Sequence, residues 1–246
     1  MPRFFLDHPT ALGETITLAG DDAHHISYAL RMAAGEEITV TDSEGKGFLC
    51  RLCALDGVSV SAIVTESIAS LGESPVRVHL FQAYPKSDKL EFIIQKAVEL
   101  GAFSITPFES ERCIKRPKAE KVAHQLERQK RIALEAAKQC GRDILPEVKA
   151  PVSFDEMLSR AAPYPLALFA HPSDETVSVR RILESEKAPS DIAIVVGSEG
   201  GFSEEEFSRA KEAGLLPTSL GARVLRCETA PLFLLSAISY AFELAR

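Results

Sequence analysis

No stretch of this chain is apolar for the ~20 residues that a membrane-spanning helix needs. The opening MPRFFLDHPT has neither the long apolar region nor the small-residue cleavage site of a signal peptide, which predicts a cytoplasmic protein. Cysteine is sparse. The five residues Cys50, Cys53, Cys113, Cys140 and Cys227 are an odd count without secretory context, which predicts free thiols. Cys50 and Cys53 form a C-x-x-C, but they fall in GFLCRLCALD, which reads as a strand. Residues three apart on a strand point to opposite faces, so no metal is expected there. There is no excess of positive charge either: the net charge of −7 does not advertise a nucleic-acid partner. Internal repeats and low-complexity tracts are also missing.

What is present is a chain of 246 residues, enough for one large domain or two smaller ones. Its charge is uneven. Residues 1 to 70 hold 4 Lys/Arg against 10 Asp/Glu, whereas RCIKRPKAEKVAHQLERQKR, 112 to 131, holds 8 Lys/Arg against 2 Glu. The basic segment is either a solvated helix face or a local attractor for a polyanion.

RFFL, TITL, EITVTD, FLCRLCAL and VSVSAIV predict short strands, with Asp56-Gly57 as a tight hairpin turn. DDAHHISYALRMA, 21 to 33, reads as one helix with Asp21 or Asp22 as its N-cap. A small barrel with one helix fits residues 1–70, and SLGESP, 70 to 75, has linker composition. Residues 75–246 then alternate. VRVHLFQA, SITPF, PLALFA and DIAIVV read as buried strands. KLEFIIQKAVELG, 117 to 140, 203 to 213 and TAPLFLLSAISYAFELA read as helices. That alternation predicts an α/β domain around a mainly parallel sheet. The last helix is apolar nearly all round and must be buried somewhere.

The most informative loop follows DIAIVV: Gly197, Ser198, Glu199, Gly200 and Gly201, then Ser203 and three glutamates. Loops at the carboxyl ends of parallel strands are where such sheets bind ligands. The loop has neither the G-x-G-x-x-G nor the G-x-x-x-x-G-K-[ST] spacing, and no lysine follows. Ser203 and Glu206 form a capping box, and Glu204 to Glu206 put negative charge where a phosphate would sit. The loop is thus either a plain capped corner or a site for a neutral or cationic nucleoside, for which S-adenosylmethionine (SAM) is a match. A second loop, SLGARVLRCETAP, carries Gly221, Arg223, Arg226 and Glu228. The arginines there need acceptors, and Glu199 and Glu228 are the expected ion-pair partners. A third loop, FAHPSDE, offers His171 as a ligand contact or an exposed loop histidine.

Taken together and in order, HHISYALR, KSDKLEFIIQKAVELG, SERC, RQKRIALEAAKQCGR, VVGSEGGFSEEE and LGARVLRCETA resemble the SPOUT class of methyltransferases. More closely, they resemble the 16S rRNA (uridine-N3) methyltransferase family. Ser198 stands where that family's loop usually has proline, and Phe92 where it often has tryptophan. The resemblance implies an N-terminal PUA-like β-barrel that binds RNA and a C-terminal SPOUT α/β domain with a deep trefoil knot. It implies SAM as cofactor, a homodimer with the active site at the subunit interface, and 16S rRNA or the small ribosomal subunit as partner, with no membrane and no metal. A non-catalytic RNA-binding or ribosome-assembly protein of the same fold is the alternative.

On that resemblance the cofactor is held by His171 in one loop and by Val196, Gly197, Glu199, Gly200 and Gly201 in another. Leu220, Gly221, Val224 and Leu225 complete it from the third. Arg226 and then Arg223 are the expected catalytic cations, with Glu199 orienting an arginine or taking the proton, and Glu228, His24 or His25 as alternatives for the proton. RNA contacts are expected from His25 and Arg31 at one end of the chain, and from Lys86, Lys115, Arg116, Lys118, Arg128 and Arg131 in and before the basic segment.

Overall fold

The computed structural model describes residues 1–69, 73–114, 116, 119–185 and 187–244. The chain divides into two compact units: residues 1–73 with 137–145, and residues 74–136 with 146–246.

In the first unit the strands are β1 (Arg3–Phe5), β2 (Thr15–Ala19), β3 (Glu37–Thr41), β4 (Gly47–Leu55) and β5 (Ser59–Ile68). They form one curled sheet in the order β1-β3-β4-β5-β2, antiparallel except for the β1–β3 pair. Alternation works as expected: along β2, Ile16 and Leu18 are buried while their neighbours face water. These two join Phe4, Ile26, Ile38, Val40, Leu52 and Val60 in one core. Cys50 is buried and Cys53 exposed, on opposite faces of β4. The β4–β5 hairpin turns at Asp56-Gly57 with Gly57 at φ 83°, and the Asp56 carboxylate accepts from the Val58 and Ser59 amides.

The helix expected over 21–33 is shorter and capped differently. α1 (Asp21–His24) continues as a π-helix over His25–Ala29, and Arg31 stands at φ 53°. Its N-cap is Gly20 at φ 62°, a conformation glycine takes freely. Asp21 and Asp22 therefore move into the first turn, where they favour the helix dipole rather than cap it.

Residues 137–145, expected inside the second domain, group with this first unit, and buried ion pairs hold them there. The Glu73 carboxylate accepts from the Arg142 guanidinium at 2.8 and 2.7 Å and from the Asp143 and Ile144 amides at 2.8 and 2.9 Å. Arg3 pairs with Asp143 and donates to the Arg142 carbonyl, and Lys138 pairs with Asp22.

The second unit holds β6 (Arg77–Ala83), α2 (Lys89–Glu99), β7 (Ala102–Glu109), α3 (Ala119–Cys140, whose last four residues count with the first unit), β8 (Glu147–Val148) and β9 (Val152–Ser153). There follow α4 (Phe154–Ala161), β10 (Leu166–Ala170), β11 (Val177–Ser178), α5 (Val179–Ser185), β12 (Asp191–Val196), α6 (Glu204–Glu212), β13 (Leu216–Ser219) and α7 (Thr229–Phe242). The sheet order is β11-β13-β10-β12-β6-β7-β8, with β9 also on β7, and every ladder is parallel. Its central strands are buried on both faces, Ile192 to Val196 without a break. α4 and α5 were not expected. α7 buries Ala230, Leu234, Leu235 and Ile238 but leaves Tyr240 75% exposed and Phe233 partly so.

At the amino ends of β6, β7 and β12, His79 is held from both sides. Its Nδ1 lies 2.8 Å from the Ser104 hydroxyl and its Nε2 3.0 Å from Asp191, which also accepts from Arg77 at 2.7 Å. The Tyr164 ring stacks on the imidazole at 4.3 Å. The Arg77 hydrogen bond, opposed by burial, holds the Asp191 carboxyl well below the usual carboxylate range. Burial, opposed by Asp191, lowers His79. Both folded-state values are depressed, so both contribute stability that is present above the unfolded values and lost on acidification. Denaturant midpoints are therefore expected to fall first below pH ~6.5, as the unfolded histidine takes its proton, and again below pH ~3.9, the unfolded aspartate value. Asp191→Asn should remove the lower of the two phases.

Candidate active site

β10, β12 and β13 end at the same edge of the sheet, and the three loops that leave them enclose a cavity of about 450 Å³. That lies in the range of small-molecule sites. The loop after β12 is shaped by contacts only glycine allows. A Cβ on Gly197 would meet the Phe202 ring at 3.0 Å, and one on Gly200 would meet Arg112 Cβ at 2.9 Å and its carbonyl at 3.1 Å. Arg112 in turn donates to the Gly200 carbonyl at 3.2 Å. Gly200→Ala is expected to cost about 1–3 kcal/mol by overpacking, measured as a lower urea midpoint.

The capping box is present: Ser203 accepts from the Glu206 amide at 3.3 Å, and Glu206 accepts from the Ser203 amide at 3.0 Å. Glu206 also accepts from the Glu111 amide at 2.8 Å. These bonds use up amide donors at the start of α6, so this helix end is built for internal carboxylates and not for a phosphate. Among the described residues no group of three or more His, Cys, Asp or Glu is arranged to hold a metal, and no helix is long and apolar enough to cross a membrane.

The structure brings the residues expected at the cofactor into this cavity. His171 lines it from the β10 loop; Val196, Gly197, Glu199, Gly200 and Gly201 from the β12 loop; Leu220, Gly221, Val224 and Leu225 from the β13 loop. Arg223 and Arg226 line it too. The His171 ring lies tilted against the Phe207 ring, with centroids 4.4 Å apart, and burial lowers its pKa. Its Nδ1 is buried and has no hydrogen-bond partner among the described residues. A buried polar atom without a partner costs about 1–3 kcal/mol, which a polar ligand would recover.

One expectation is corrected. Glu199 and Glu228 do not pair with the arginines. Both accept from Lys89, at 2.9 and 3.1 Å, and Glu199 also accepts from the Lys86 amide at 3.1 and 3.2 Å. Burial opposes the charge of Glu199, but the bonds from Lys89 and from backbone amides outweigh it and hold its pKa below the ordinary value. Glu228 behaves in the same way, with the Cys227 thiol among its donors. Burial first, and Glu228 second, push that thiol up to about 12, so it stays protonated and donates. Arg223 and Arg226 are exposed and make no side-chain hydrogen bond or ion pair among the described residues. The physical reason is competition: the nearest ammonium claims both carboxylates.

Lys89, Arg112 and Cys227 line the cavity and were not singled out from the sequence. Lys89 had a readable signal. A lysine at the first helical position opposes the helix dipole and calls for an acid nearby.

The residues expected to meet RNA belong to both units. Arg128 pairs with Glu91 at 2.8 Å and Arg116 approaches Glu109 at 3.9 Å, whereas Arg131 makes no ion pair among the described residues. Lys86 is exposed in the second unit, and His25 and Arg31 are exposed in the first. Lys115 and Lys118 lie outside the described residues.

Comparisons with known proteins place the chain in a family. A family model described as an RNA methyltransferase domain matches residues 72–239. The chain is 36% identical to "Ribosomal RNA small subunit methyltransferase E" of Bacillus subtilis, covering 100% of this chain and 99% of that protein. It is 34% identical to the protein of the same name from Synechocystis, covering 93% of this chain and 74% of the relative. Among solved structures it matches that of a ribosomal RNA small subunit methyltransferase E from Neisseria gonorrhoeae bound to S-adenosyl methionine. The TM-score is 0.87 and the identity 32%, over 98% of each chain. Because the family model spans more than half of the sequence and relatives align along nearly all of it, the chain belongs to the RNA methyltransferase domain family.

Proposed function

We propose that this protein transfers the methyl group of SAM to N3 of a uridine in 16S ribosomal RNA. The observation that carries the reading is the cavity at the ends of β10, β12 and β13. It is walled by glycine backbone, presents a buried imidazole nitrogen in need of a partner, and adjoins two ionised carboxylates that share one ammonium. Such a pocket suits a cationic nucleoside, and the capping box at the start of α6 leaves no amide cradle for a pyrophosphate there.

When bound, SAM supplies an electrophilic methyl on a positively charged sulfur. The residues of the chain do the rest. Loop backbone at Val196, Gly197, Gly201 and Gly221 and the chain at Leu220, Val224 and Leu225 fix the donor, while Glu199 and Gly200 close one wall. Holding two reactants in line is worth roughly 7–11 kcal/mol of barrier. Uridine N3 is an imide that carries a proton. That proton passes to solvent before N3 attacks. The negative charge it leaves is shared by N3 and the flanking carbonyl oxygens, and it is quenched as the N–C bond forms and the S–C bond breaks. Arg226, with Arg223 lining the same cavity, offers a cation to those oxygens. Glu199 is engaged by Lys89 and by the Lys86 amide, so we assign it to holding the loops together.

Lys86, Arg116, Arg128 and Arg131 of the second unit, with Lys115 and Lys118, and His25 and Arg31 of the first, are assigned to RNA. On this reading the first unit is an RNA-binding module and the protein works in the cytoplasm. We also assign a homodimer: Phe92, Val224, Phe233 and Tyr240 are exposed apolar side chains, which a second copy would cover. The deep trefoil knot comes with the same resemblance.

Isothermal titration tests the pocket: SAM should bind, while ATP and NAD should not. Mass mapping of ribosomal RNA tests the target. Cells without the protein should lack one N3-methyluridine in 16S rRNA, and an unchanged map would refute the assignment.

A further inference from the structure

We infer that Lys89 is a positioning residue for this reaction, tying Glu199 to Glu228 and so keeping both carboxylates off Arg223 and Arg226. The inference rests on the function proposed above and deepens it.

The geometry is specific. Lys89 Nζ lies 2.9 Å from Glu199 Oε1 and 3.1 Å from Glu228 Oε2, joining the start of α2 to the loop after β12 and to the start of α7. All three side chains are partly exposed, at 30, 26 and 20%. Each carboxylate is also fixed from a second side, Glu199 by the Lys86 amide and Glu228 by the Cys227 thiol. The lysine sits against the dipole of its own helix, and Glu199 and Glu228 add to the compensation that Asp88 at the N-cap and Glu91 in the first turn already give.

One ammonium holds two carboxylates beside a cavity that two unpaired guanidiniums line. Without it, the remaining cations lining that cavity are Arg112, which already donates to the Gly200 carbonyl, and the two unpaired guanidiniums of Arg223 and Arg226. Carboxylate–guanidinium pairs are often bidentate and strong. A guanidinium so neutralised no longer offers its charge to the acceptor. Lys89 thus acts on the chemistry through the partners it denies to Arg226.

The test uses the full-length protein, with SAM affinity from titration, kcat and KM with ribosomal RNA, and a melting curve. Lys89→Met is expected to lower kcat by on the order of 10²-fold, the loss expected when one charge-stabilising donor is withdrawn. Lys89→Arg, which can still bridge two acids, should stay close to the parent. The double variant Lys89→Met with Glu228→Gln should regain much of the lost kcat, because one carboxylate fewer competes for the arginines. A lysine that merely braces the fold predicts the reverse: the double variant would melt earlier and turn over more slowly than the single one. That reversal, or a Lys89→Met protein with the parent's kcat, overturns the inference. Should Lys89→Met melt too early to assay, Lys89→Arg and the double variant decide by the same criteria. A parent that binds SAM and methylates RNA while Lys89→Met matches it refutes only this inference; a parent that binds no SAM refutes the proposed function itself.

Discussion

Arg226→Ala is expected to lower kcat for methyl transfer by on the order of 10²–10³, the loss seen when one fixed donor to a developing oxyanion is removed. The fold should not notice. Arg226 is exposed and its side chain makes no hydrogen bond or ion pair among the described residues, so truncation should change stability by no more than about 0.5 kcal/mol. The cation matters only once the acceptor imide loses its proton. The loss should therefore fall on kcat, with SAM affinity nearly unchanged. Arg223→Ala should show the same pattern at smaller size, because Arg226 remains. Single-turnover assays with ribosomal RNA read both. An Arg226→Ala protein that methylates like its parent would move the chemistry elsewhere. If the parent too failed to methylate while still binding RNA, the non-catalytic RNA-binding alternative would be favoured.

Parts of this architecture were legible because their signals are local. IAIVV within DIAIVV is an unbroken apolar run, as a strand buried on both faces must be, and it became β12; VRVHLFQA, apolar but for Arg77, His79 and Gln82, became β6. The Ser203/Glu206 spacing and the Asp56-Gly57 turn each carry their own chemistry within four residues. The missed elements are short. β8, β9 and β11 are two residues each, and α4 and α5 are eight and seven. α4 did announce itself: Ser153 caps it by accepting from the Glu156 amide, a start signal visible in the sequence.

The site divides along the same line. Glycine loops at strand ends are visible in sequence because backbone geometry demands glycine. The partner choice of Glu199 and Glu228 is not, because Lys89 reaches them across 110 and 139 positions of chain. Competition among charges is settled by three-dimensional distance. Residues 137–145 belong to the first unit for a similar reason, since what ties them there is a carboxylate some 70 positions upstream.

That carboxylate is where the largest loss of stability is expected. Glu73→Ala should destabilise the first unit by about 3–5 kcal/mol, the cost of removing one partner from a buried ion pair. Glu73 accepts two bonds from Arg142, whose side chain is 4% exposed, and two more from the Asp143 and Ile144 amides. The alanine variant takes from a buried guanidinium its bidentate carboxylate, and from two amides their acceptor, all at once. Against a typical total of 5–15 kcal/mol this is a large fraction. Glu73→Gln should cost less, because its side-chain carbonyl can still accept from the amides. Glu44→Ala is the control. Its pair with Lys46 is more than half exposed on both sides, and such pairs contribute at most about 1 kcal/mol. Hydrogen exchange of the β3–β5 amides reads the effect directly. Protection should fall in Glu73→Ala and hold in Glu44→Ala; equal protection in both would mean that segment 137–145 is held by its apolar contacts and not by this carboxylate.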